Sequence, residues 1–147
     1  MSKHTYRTAL WGASVLGVLV FIFANSLTPA SASSEESRSV LDLLLSLFPT
    51  ITHRVVRKLA HIAEYALLGA HLALAPMLLP ASAKMSYPTA FFFGAVVALV
   101  DEGLQALVPG RGPALTDALI DYFGYLTALL LVLALFFLIA KRRKTHG

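Results

Sequence analysis

The sequence predicts an all-α membrane protein: a bundle of four transmembrane helices with a short interfacial helix between the first and second. Three observations lead there. Of 147 residues, 57% are hydrophobic and 14% charged, against about 25% charged in an ordinary soluble domain. Four apolar runs are each long enough to cross a bilayer, which takes about 20 residues. Breakers or basic clusters bound them. With no cysteine, neither a disulfide framework nor a thiolate metal site is available. The net charge of +4 does not point to nucleic acid. Lys3 and Arg7, then Lys141 to Lys144, abut apolar spans, where basic residues report membrane orientation.

The first span is expected over roughly 8–27, with Trp11 at an interfacial position. Met1 to Arg7 and Ala30-Ser31-Ala32 resemble the ends of a signal peptide. The apolar stretch between them exceeds the usual ~7–15 residues, so a retained span is the reading. The connection that follows is expected to hold an amphipathic helix over roughly 34–48, opened by Ser33 and Glu36 as a capping box and ended by Pro49. It is too short and too polar to span, and so is placed at the membrane surface. The second span is expected as a helix over 55–79, with Pro76 and Pro80 marking its end. The third covers 87–107, with Pro88 in its permitted first turn. Val108-Pro109-Gly110-Arg111-Gly112-Pro113 reads as a rigid turn. The fourth covers 116–140 and is expected to stop at the basic cluster. One domain, residues 1–147, is the natural count.

Four spans put both termini on one side. The positive-inside rule makes that side cytoplasmic, in a bacterial inner membrane. The ionisable residues inside the spans then gather at the outer end. Arg57, Lys58, His61 and Glu64 lie in the first turns of span two. Asp101, Glu102 and Gln105 close span three, and Asp117 and Asp121 open span four. At about 1.5 Å per residue the His61–Glu64 layer is roughly 10 Å below Arg54. A charge at bilayer depth costs about 2.5–3.5 kcal/mol on insertion scales, so these groups must find partners within the protein. One connected ion-pair network across spans two, three and four is expected. The opposite half offers only His71, expected to be a satisfied interior histidine. Gly69, Gly94, Gly103 and Gly124 are expected to let helices approach closely, and Tyr65, Tyr122 and Tyr125 to serve packing.

At these positions the sequence resembles the VanZ-like family of small membrane proteins. The matching pieces are Phe23-Ala24-Asn25-Ser26-Leu27, Ser33-Ser34-Glu35-Glu36-Ser37, Arg57 through Gly69, Asp101-Glu102-Gly103-Leu104-Gln105 with Pro109-Gly110-Arg111, and Asp117-Ala118-Leu119-Ile120-Asp121 with Gly124. The resemblance implies a VanZ-like membrane domain and a link to low-level resistance to the glycopeptide teicoplanin, hence to the cell envelope.

The expected ligand-binding set is Arg57, Lys58, His61, Glu64, Asp101, Glu102, Gln105, Arg111, Asp117 and Asp121. With guanidinium and ammonium groups suited to phosphate, the expected partner is a membrane lipid or a lipid-linked cell-wall precursor, bound and not broken down. Arg111, at the mouth, is expected to contribute little to holding the helices. The alternative is a membrane enzyme acting on a lipid phosphate or ester, with His61, Glu64 and Glu102 as acid and base. No serine or cysteine nucleophile accompanies them. No cofactor is expected. A divalent metal on His61-x-x-Glu64 with Glu102, Asp117 and Asp121 is the weaker reading, since one histidine is thin support.

Overall fold

A computed structural model describes residues 3–29, 31–32, 35, 38, 42–43, 45, 50–80 and 85–145. Among these residues the fold is helical throughout, with no strand. The elements are α1 (Lys3–Leu27), α2 (His53–Ala73), α3 (Ala75–Leu78), α4 (Tyr87–Gln105) and α5 (Leu115–Thr145). Of the expected interfacial helix, Glu35, Arg38, Asp42, Leu43 and Leu45 are helical. The rest of it, with its Ser33–Glu36 cap, lies outside the described residues.

By length and composition α1, α4 and α5 can each cross a membrane. The 21 residues of α2 would also reach across, but they include Arg54, Arg57, Lys58 and Glu64. Beyond its first turn, where Arg54 is exposed, its outward face is lipid-compatible: Val55, Leu59 and Leu67 are exposed while Arg57, Lys58, His61 and Glu64 are half-buried. The surface of the bundle is apolar elsewhere too, with Phe92 at 72% and Phe123 at 71% exposure. A soluble monomer rarely shows such a surface. This is a membrane-embedded helical bundle.

Several boundaries differ from the sequence expectation. The run 55–79 is not one helix. It breaks at Leu74, because Pro76 has no N–H to donate to Leu72. The Leu74 amide bonds the carbonyls of His71 and Leu72 instead, and the chain continues as the single turn α3. The last helix does not stop at the basic cluster but runs through it to Thr145. Lysine and arginine are good helix formers and favour a helix C-terminus, so they end the span and not the helix. Thr52 and Ser86 cap α2 and α4, each hydroxyl accepting the amide three residues on.

The core lies where α2 and α5 pack, with α4 and α1 against them. Tyr65, Tyr125, Ile22 and Leu68 are fully buried. The tyrosines are packing residues with satisfied hydroxyls: Tyr65 donates to the carbonyl of Val97 at 3.5 Å, Tyr122 to that of Phe91 at 3.2 Å, and Tyr125 to that of Ala90. The close approach rests on Gly69, where a Cβ would stand 2.1 Å from the Tyr125 carbonyl oxygen, and on Gly124 against Ile62. Gly103 departs from the expectation. Nothing lies within 4 Å of where its Cβ would be, so it packs against no helix. In the other half of the bundle His71 is satisfied as expected, 2.9 Å from the Ser14 hydroxyl and stacked on Trp11 with centroids 6.0 Å apart.

Candidate functional site

The ends of α1 and α4 and the starts of α2 and α5 meet at one end of the bundle, with the start of α1 and the end of α5 at the other. The α4–α5 turn follows the type II pattern. Pro109 precedes Gly110, whose φ of 79° suits glycine, and the Arg111 amide returns to the Val108 carbonyl at 3.1 Å. This turn places Arg111 over the end of α1, where its Nη2 donates to the carbonyl of Asn25 at 3.1 Å. A cation at a helix C-terminus satisfies an otherwise free carbonyl and the helix dipole. Arg111 is therefore a tie between the turn and α1, contrary to the expectation that it holds nothing together. Burial and the neighbouring Arg57 both push its guanidinium below its ordinary pKa.

A cleft of about 80 Å³ opens beneath this turn, lined by Arg57, Lys58, His61, Glu102, Gln105, Gly110, Arg111, Gly112, Asp117, Ile120 and Asp121. A single water needs about 10–15 Å³ on the same measure, so the space accepts several waters or a compact polar group. Eight of the ten expected site residues line it. The other two, Glu64 and Asp101, do not. Glu64 turns to α1, where its Oε1 accepts from Asn25 Nδ2 at 2.7 Å. Asp101 is fully buried behind the floor, with Gln105 Nε2 at 3.3 Å from its Oδ2.

The expected connected network resolves into separate local contacts. Lys58 Nζ meets Asp117 Oδ1 at 2.7 Å, and His61 Nδ1 stands 3.9 Å from Asp121 Oδ2. Glu102 makes no ion pair among the described residues. Its Oε2 accepts the Ala114 amide at 2.7 Å. Ala114 is the residue whose carbonyl starts α5, so Glu102 satisfies a backbone donor at that helix start, as an acid does within a capping box. Its role in the fold is to close the α4–α5 hairpin. Asp117, in the first turn of α5, sits where a negative charge is favoured. The metal grouping differs as well. Glu64, Glu102 and Asp117 are not part of it; the geometry gathers His61, Asp101 and Asp121 instead.

Asn25 belongs to this end of the bundle although the sequence reading left it out of the site. Its amide holds Glu64 and its carbonyl holds Arg111. The signal was present, as a lone amide in the last turn of an otherwise apolar span. Beside it Ser26 is fully buried, with a hydroxyl that has no partner.

A family profile described as VanZ/LLP1 matches residues 11–138, most of the chain. The chain belongs to the VanZ/LLP1 family. The matched region takes in α2 and α4 whole, most of α1 and α5, and every residue of the cleft. Neither a curated protein nor a solved structure matches the chain.

Proposed function

We propose that the cleft of this VanZ/LLP1-family membrane protein binds an anionic headgroup, the phosphate of a membrane lipid or of a lipid-linked cell-wall precursor, and so modulates the cell envelope. One observation carries this reading. Arg57 lines the cleft without an acidic partner among the described residues, beside Arg111, whose buried Nε also has no acceptor. Two guanidinium groups with free donors in one concave site match the oxygens of a phosphate. Lys58 is already committed to Asp117 and serves the rim less directly. Masking or repositioning such a headgroup fits the teicoplanin link that the family resemblance implies. The enzyme reading has less support. Among the described lining residues none is a serine, threonine or cysteine, and Glu64 stands outside the cleft.

Arg57→Gln is the informative variant, because no ion pair among the described residues is lost. Purified protein should retain phosphatidylglycerol or undecaprenyl phosphate from mixed vesicles in preference to phosphatidylcholine. Arg57→Gln should cut that retention about tenfold, the loss of one charge-assisted contact, with an unchanged melting temperature. Equal retention by folded Arg57→Gln removes this reading.

The proposal also needs the cleft on the outer face, with both termini cytoplasmic. The basic run Lys141-Arg142-Arg143 at the far end of α5 supports that orientation. In intact cells a cysteine replacing exposed Gly112 should react with an impermeant thiol reagent, and one replacing Lys141 should not. The opposite labelling pattern would put the cleft inside.

A further inference from the structure

At the floor of the cleft, His61 of α2, Asp121 of α5 and, behind them, Asp101 of α4 each present one ligand atom, all within 4.8 Å of one another. None of the three satisfies another. His61 Nδ1 is buried without a hydrogen-bond partner, and its 3.9 Å separation from Asp121 Oδ2 is too long for one. Asp101 has no exposed surface, and its Oδ1 also lacks a partner. Asp121 is 3% exposed. Among the described residues no lysine or arginine comes within ion-pair distance of either carboxylate. Removing a carboxylate from water costs several kcal/mol even after relaxation, and two such groups share this space.

We infer that His61, Asp101 and Asp121 form a binding site for a divalent transition-metal ion of the zinc class, with its fourth position open to the cleft. One doubly charged ion neutralises both carboxylates and takes up the imidazole nitrogen. Zinc bonds to nitrogen and oxygen are about 2.0–2.2 Å, so tetrahedral ligand atoms stand about 3.4 Å apart. Side-chain shifts of about 1 Å bring the trio to that spacing. One imidazole with two carboxylates suits zinc or manganese better than calcium, which takes 6–8 oxygens. His61 and Asp121 also line the cleft, which leaves the remaining position on that side for water or for an oxygen of a bound molecule. The three ligands come from three helices, so the site exists only in the assembled bundle.

The test uses the whole chain purified in detergent, stripped with a chelator and titrated with ZnCl2 by calorimetry. The expected result is one ion per chain and a higher melting temperature. His61→Gln and Asp121→Asn should each weaken uptake at least about 100-fold, beyond the 10–100-fold usual for groups behind a ligand. His71→Gln, which alters the histidine at the other end of the bundle, should not. Should either ligand variant fail to fold, Co2+ added to the unaltered protein provides a second reading, through the strong visible bands of a four-coordinate site. Absence of stoichiometric zinc uptake, uptake unchanged in the folded ligand variants, or six-coordinate cobalt spectra would overturn the inference, leaving the carboxyls as proton-sharing or hydrated groups. The site and the Arg57 reading fail independently, since zinc uptake is measured without lipid and lipid retention with chelator present.

Discussion

Gly69→Ala is expected to destabilise the bundle more than any other change considered. The added Cβ would lie 2.1 Å from the backbone oxygen of Tyr125 and 3.2 Å from the amide nitrogen of Leu129. No rotamer change relieves a clash with backbone, so α2 and α5 would have to separate by more than 1 Å along their main contact. Overpacking of a tight core costs about 1–3 kcal/mol and sometimes more, and a backbone obstruction belongs at the upper end. At about 2–4 °C per kcal/mol, a cost of about 3 kcal/mol lowers the melting temperature by about 6–12 °C. Gly94→Ala should follow it. The Cβ there would meet the Tyr125 ring at 2.3 Å, and that ring is fully buried and tied to the Ala90 carbonyl. Gly103→Ala is the counter-test. With open space around it, it should gain up to about 1 kcal/mol from helix propensity. Similar melting temperatures for Gly69→Ala and Gly103→Ala would refute the packing described for α2 and α5.

Glu102→Ala is expected to have the second largest effect on folding. It leaves the Ala114 amide without its acceptor at the start of α5, and an unsatisfied donor of that kind costs about 1–3 kcal/mol. Glu102→Gln keeps an acceptor oxygen and should recover part of the loss. Lys58→Met removes the shortest ion pair at this end, yet should matter less. Both its members are over a third exposed, at 37% and 38%, and such pairs contribute about 0–1 kcal/mol. Melting curves of the three variants in one detergent decide the order. If Lys58→Met is the more damaging change, this end of the bundle is held by the α2–α5 ion pair and not by the backbone bond of Glu102.

The two proposals concern different layers of the same end. Arg57 and Arg111 stand at the mouth, with donors to spare, while His61 and Asp121 line the cleft with Asp101 buried behind them. A phosphate oxygen entering the cleft would meet the guanidinium groups first and the metal position next. The arrangement therefore gives each layer its own measurement.

The sequence by itself determined the class, the long helices and the end at which their polar residues gather. Length and hydropathy set the spans, because a bilayer demands about 20 apolar residues whatever the neighbours are. The positions of Lys58, His61, Glu102, Asp117 and Asp121 along their helices fixed their shared depth, since rise per residue is constant. The end of α2 was also legible, in Pro76, although the span was read on to Leu79 because the run stays apolar that far. Only the tertiary structure decided which side chains meet. Rotation of each helix about its axis sends Glu64 to Asn25 and away from the cleft, puts Asp101 behind the floor, and gives Glu102 a backbone amide in place of a cation. That rotation is set by contacts such as Gly69 on Tyr125, between residues far apart in the chain. No pattern within a single helix encodes the angle at which another helix will be met.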